Sequence, residues 1–163
     1  MKKLSVLVML FFSVSMSAQV TIQKNVDEMT GKVEYYASHV LVSSNDNNTQ
    51  GFTIEVVLET EGDKLYCHGW IVKIYNLGDC NEDNEIIILF EDDSSVTVQS
   101  FNRFKCQNVS YFQPTMTQEA MISTKKIKKV RFTNGYTYDR YTGPAVNPNF
   151  FIDLYDALET FNQ

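Results

Sequence analysis

FTIEVVLETEGDKLYCHGWIVKIY, residues 52–75, decides the fold. Phe52, Ile54, Val56 and Leu58 alternate with Thr53, Glu55 and Glu59, the period of two that sends successive side chains to opposite faces of a half-buried strand. Gly62-Asp63 supplies a turn, and Lys64–Tyr75 resumes as a second extended run. Working outward, residues 86–90 (IIILF) are apolar on both faces, as a central strand requires. The acidic turn Asp92-Asp93-Ser94-Ser95 hands that strand to residues 95–100 (SVTVQS). Residues 33–42 (VEYYASHVLV) are expected to form one more strand, although neither face is clearly polar.

Two helices interrupt the strands. Thr115 or Thr117 can cap a short helix near 117–122, because a threonine oxygen satisfies the open amides of a first turn. Asn147-Pro148 predicts a second, with asparagine at the cap and proline at the first helical position. Phe151, Leu154, Leu158 and Phe161 then share one stripe, while Asp153, Asp156 and Glu159 point elsewhere. The expected fold is α+β: mainly antiparallel β-sheet with a C-terminal helix packed on it. A β-sandwich or barrel with a terminal helix is the alternative.

The chain of 163 residues opens with Lys2, Lys3 and a 13-residue apolar run, followed by Ser15, Ser17 and Ala18. This is the order of a secretory signal peptide, expected over 1–18, which leaves one exported domain over 19–163. The run is shorter than the roughly 20 residues a membrane-spanning helix needs, so no transmembrane anchor is expected after cleavage. The first cysteine is Cys67, so no lipid anchor is expected near the cleavage point. Loss of Lys2 and Lys3 takes the net charge from −6 to −8. Such an acidic chain repels polyanions at long range, which argues against nucleic acid as a partner. With 13% aromatic residues and only 3 prolines and 7 glycines, the composition is that of a folded domain. Residues 45–50 and 79–85 are its polar, flexible-looking stretches.

Against that balance, residues 124–135 (TKKIKKVRFTNG) concentrate Lys125, Lys126, Lys128, Lys129 and Arg131. Asn134-Gly135 is a hairpin signal, with Tyr136–Tyr138 as the return. On a strand, Lys129 and Arg131 face one way and Lys128, Val130 and Phe132 the other, so the charges are divided between faces. They also flank apolar residues as lysines on an edge strand do to deter stray pairing. The candidate partner-binding surface is Lys126, Lys128, Lys129 and Arg131 with Tyr136 and Tyr138, suited to an anionic envelope protein.

Three cysteines allow one disulfide and a free thiol. Antiparallel pairing about the 93/94 turn brings Cys80 nearly opposite Cys106, leaving Cys67 as a buried thiol. Cys67 and His68 are strand neighbours on opposite faces and make no thiol–imidazole dyad. His68 shares parity with Tyr66, Trp70, Val72 and Ile74, which places it in the core. Asp79, Asn81, Asp83 and Glu85 resemble the first half of a calcium loop, with Asn84 at its left-handed position. Phe90 stands where the bidentate glutamate belongs, so calcium is a weak candidate and no other cofactor is expected. There is no CxxC, HExxH, G-x-S-x-G or GxGxxG, Ser38-His39 are strand neighbours on opposite faces, and Asp92-Asp93 sit at a hairpin tip. Tyr136, Tyr138 and Tyr141, with Tyr111 and Phe112, would form a sugar-stacking platform if exposed, and core if not.

The order of apolar strand, acidic turn, Thr-capped TMTQEAM helix, KIKKVRF strand and NFFIDLYDAL helix resembles small exported proteins common in Bacteroidota, a group largely of unassigned function. The leader ending Ser17-Ala18-Gln19 is similar too. The resemblance implies an envelope or extracellular setting, periplasmic or outside the cell, and brings no catalytic residues. The leading expectation is a non-enzymatic binding or accessory protein of the envelope, with an envelope protein or a glycan as partner. The alternatives are a carbohydrate-binding module using surface tyrosines, and a secreted hydrolase built from Asp, Glu and His68.

Overall fold

The computed structural model describes residues 20–37, 40–44 (main chain), 51–76, 80–101 and 103–163. The expected signal peptide, Ser38-His39, residues 45–50 and Asp79 lie outside them. The strands are β1 (Ile22–Val26), β2 (Val33–Ala37), β3 (Val40–Ser44), β4 (Gly51–Glu61), β5 (Lys64–Tyr75), β6 (Glu85–Phe90), β7 (Ser95–Gln99) and β8 (Val109–Phe112). Helix α1 (Met116–Ile122) follows, then β9 (Ile127–Thr133), β10 (Arg140–Pro144) and α2 (Phe150–Phe161).

All pairing is antiparallel and falls into two sheets. The first runs β1-β2-β4-β5-β8, with β3 also on β4, and the second runs β10-β9-β6-β7. Among the described residues neither closes into a barrel. The run 33–42 is two strands, since Tyr36 faces Val57 while Val40 faces Ile54 on the same partner.

The 52–75 hairpin is the backbone of the molecule. Glu61 pairs with Lys64 across Gly62-Asp63, and the ladder continues to Gly51–Tyr75. Its inner face is covered in two halves. The half nearer Phe52 meets the second sheet, with Phe52 against Phe132 at 5.7 Å and edge-on to Tyr141 at 6.3 Å. The half nearer the turn meets α2, where Phe151 stacks on Trp70 at 4.9 Å. A stacked aromatic pair adds about 0.5–1.5 kcal/mol beyond burial of its area. Asn162, just past α2, accepts from the Leu65 amide and donates to the Leu65 carbonyl, fixing the helix end to β5.

One register shift changes the reading of β5. Val57 faces Gly69 and Leu58 faces Cys67, so His68 is an extra residue with no partner on β4. Leu65 is buried on the turn side of this bulge, and Trp70, Val72 and Ile74 beyond it. His68 and Tyr66 therefore face solvent, which corrects the core position expected from parity. Gly69 is required here, because a Cβ would lie 2.7 Å from the Phe112 carbonyl oxygen on β8.

The helices differ from expectation by a few residues. Thr115 caps α1 in a capping box with Gln118. Asn149, not Asn147, is the cap residue of α2. Pro148 is held back in the preceding turn, where its carbonyl accepts from the Ile127 amide, and the Asn147 side chain caps that turn through the Asn149 amide. Phe151, Leu154 and Leu158 are buried as the stripe predicts, together with Phe150, whereas Phe161 is largely exposed and only edges onto Tyr35. No described helix is long and apolar enough to cross a membrane.

Candidate functional site

The basic run does not sit on an edge. β9 lies between β10 and β6, so its lysines guard no open strand. Leu89 pairs with Lys129 and Phe90 with Ile127, which leaves Lys128 as a second bulge residue. Lys128 turns outward to Asp93 at 2.6 Å, and Lys125 reaches Asp92 at 2.6 Å and Ser94 at 2.8 Å. The Lys125 ammonium is the main cause holding the Asp92 carboxyl at about 2, below its usual 3.8. Much of the positive charge is thus spent on the acidic turn next door. Lys126 is exposed at the strand entry, and only Lys129 and Arg131 remain together, facing out from the second sheet beside Leu89 and Ile87.

The tyrosines separate. Tyr141 and Phe112 are buried, so no coplanar platform forms. Thr133 pairs with Arg140, making residues 134–139 a six-residue loop in place of a two-residue Asn-Gly turn. Asn134 is buried because its side chain organises that loop, accepting from the amides of Tyr136 and Thr137. Tyr136 and Tyr138 ride on the loop exposed, with Tyr136 edge-on to Phe104 at 4.9 Å.

Beneath the loop, Cys80 and Cys106 form a disulfide, and buried amides knot the chain around it. Asn84 donates to Asn81 Oδ1 at 2.9 Å and to Ser110 Oγ at 2.8 Å, and accepts from the Gly135 amide at 3.1 Å. Asn134 donates to the Cys80 carbonyl at 2.9 Å, and Asn81 donates to that of Gln107. Asn81, Asn84, Ser110 and Asn134 are the buried polar residues of the described chain. Gly135 packs so closely that a Cβ would fall 2.2 Å from the Glu82 carbonyl oxygen. Of the four residues proposed for calcium, Asp79 lies outside the described residues and two are engaged otherwise, Asn81 in this knot and Glu85 with Gln99 Nε2 at 2.9 Å. The left-handed position belongs to Asp83, φ 47°, one residue before Asn84. No described trio of His, Cys, Asp or Glu is placed to hold a metal ion.

On the outer face of the first sheet, a groove of about 230 Å³ is lined by Val57, His68, Ile71, Phe101, Tyr111 and Gln113 and by the main chain between them. Phe101 is 65% exposed and lies 6.2 Å from Tyr111 at a 40° tilt, while Lys105 sits over the Tyr111 ring at 4.4 Å. At the rim, His68 Nδ1 is 3.1 Å from Glu59 Oε2, which also accepts from Tyr66 at 3.0 Å. The sequence did hold a signal for this groove: Val57 and Ile71 break the polar side of their own alternation. Phe101, in a loop, gave none.

A third grouping lies under the helices. The Glu119 carboxyl on α1, the Tyr155 hydroxyl on α2 and the Cys67 thiol on β5 lie close enough for each to act on the ionisation of the others. Burial, with the Glu119 charge beside it, pushes the Cys67 thiol up to about 12; burial likewise raises Glu119 and Tyr155. A thiol so seldom ionised is a poor nucleophile at neutral pH.

Compared with family models, with curated proteins and with solved structures, the chain finds no match.

Proposed function

We propose that this chain is an exported, non-enzymatic binding protein of the cell envelope that seats a protein partner against the outer face of its first sheet. The observation that carries the reading is the groove around Phe101, Ile71, Val57 and Tyr111, an exposed apolar surface rimmed by polar groups. Surfaces of that kind bind other proteins, and aromatic residues supply their anchors. Export is supported by the leader-like N-terminus and by the disulfide, a bond that persists in oxidising compartments. A sugar site is supported less well. The Phe101 and Tyr111 rings are tilted, Lys105 occupies one face of Tyr111, and the groove offers few polar atoms to hydroxyl groups. Hydrolase chemistry is also weaker, since His68 meets one carboxylate, Glu59, on an open strand face.

The test is capture from native envelope extract by residues 19–163, run beside a Phe101→Asp variant. A stoichiometric protein held by the first and reduced at least tenfold with the second is the expected result. Equal capture by both, or no enriched protein under mild cross-linking, overturns the reading.

A further inference from the structure

On the outer face of the second sheet, where β10 and β6 also place Arg140 and Glu85, two cations of the basic run form no ion pair among the described residues. β9 presents Lys129 and Arg131 two residues apart, about 7 Å along a strand. β6 lays Leu89 beside Lys129 and Ile87 beside Arg131, with Ser95 and Thr142 bordering them. Together these residues line an open groove of about 250 Å³. Ile87 and Leu89 are half-buried although the core lies on the opposite face of their strand. Arg131 is half-buried too, and its Nε is shut from solvent without a hydrogen-bond partner. Among the described residues neither cation forms an ion pair, whereas Lys125 and Lys128 of the same run are held by Asp92 and Asp93.

We propose that this groove binds an extended acidic segment of a partner protein, with alternate carboxylates on Lys129 and Arg131 and the methylene stems of those acidic side chains against Ile87 and Leu89. Three arguments fix the occupant. Its charge must be negative, because Lys129 and Arg131 both line the groove with no ion pair among the described residues, and a carboxylate is the protein group that pairs with such cations. Its spacing matches: same-face residues of an extended peptide repeat at about 7 Å, the separation of the two cations along β9. The groove is open and smaller than the roughly 300–1,000 Å³ that encloses a drug-sized ligand, so it suits a chain that runs on past its ends. A long polyanion is disfavoured by the net charge of −6. The site is on a different sheet from the groove around Phe101 and stands independently of it.

The probe is a labelled nine-residue peptide alternating glutamate and valine, titrated by fluorescence anisotropy at low salt and again at 0.5 M salt. The glutamate peptide is expected to saturate the wild-type protein, weaken with salt, and bind at least tenfold more tightly than its glutamine counterpart. Arg131→Gln and Lys129→Gln should each weaken it about tenfold at unchanged melting temperature, with Arg131→Lys intermediate. Should a variant fail to fold, the two peptides on wild-type protein still decide. Equal binding of both peptides, no saturation by 1 mM, or undiminished binding by folded Arg131→Gln overturns the proposal. Preference for polygalacturonate over the peptide, or a dimer that Arg131→Gln dissolves, overturns it as well by assigning the groove to a glycan or to a second copy.

Discussion

Among the described residues, two polar regions are withdrawn from the surface, one buried and one half-buried, and they are built on opposite principles. The knot around Cys80–Cys106 uses amides and a hydroxyl: Asn81, Asn84, Ser110 and Asn134 exchange hydrogen bonds with one another and with the main chain. None of these groups titrates, so burial costs little once each donor has its acceptor. The cluster of Cys67, Glu119 and Tyr155 uses acids, and burial pushes all three toward their protonated forms. The first region fixes geometry at any pH. The second ties the packing of both helices on β5 to proton binding, and the contrast can be measured.

The largest effect belongs to the acid cluster. With its thiol moved from 9.0 to about 12, Cys67 should hold roughly a thousandfold less thiolate at pH 8 than an unperturbed cysteine. Iodoacetamide labelling of native protein should slow in proportion, and fast labelling would erase the contrast between the cluster and the knot. The sign for stability follows: a raised pKa gives a contribution that is complete below pH 9.0 and lost as pH climbs toward 12. Cys67→Ala should flatten the alkaline limb of a melting profile.

Next comes the clamp on the knot. Cys80→Ser with Cys106→Ser opens a loop of sequence separation 26, which should cost about 3 kcal/mol in urea unfolding. Asn84→Ala should follow at about 2 kcal/mol, because Asn81 Oδ1, Ser110 Oγ and the Gly135 amide all lose a partner. Neither loss should vary between pH 5 and 8, and a marked slope would mean that the knot is coupled to a titrating group.

The smallest effect returns to the acids. Glu119 has a raised pKa, so its contribution is complete below pH 4.5 and declines as the carboxyl ionises. Glu119→Gln should therefore gain on wild type as pH rises from 4 to 7, by less than about 1 kcal/mol because the group is only partly buried. It should also speed labelling of Cys67, whose thiol it relieves of a neighbouring charge.

How much of this was legible depended on range along the chain. Alternation from Phe52 to Leu58, the apolar run of β6, the Thr115 cap and the stripe of α2 are local patterns, and each has its element in the structure. Hairpin register about the 93/94 turn also pointed to the cysteines that the bond joins. Non-local features were hidden. Nothing near Lys125 tells that β9 has a neighbour on both sides, or that Asp92 and Asp93 lie within reach of its lysines. Asn134-Gly135 carries a strong local turn signal, yet the asparagine is drawn inward by Cys80 and the glycine by Asn84, partners more than fifty residues away. The groove on the second sheet was half visible, since a strand apolar on both faces must leave one of them outside when a single layer covers it.

The bulge at His68 has a consequence for chain length. Omit that residue and Cys67 still faces Leu58 while Gly69 still faces Val57, so inward and outward positions alternate without a break from Leu65 to Ile74. Most single-residue deletions in a strand exchange its two faces from that point on. Here one would not: residue 68 is a natural splice point, where the hairpin can be shortened by one residue, and the imidazole beside Glu59 removed, without turning its inside out.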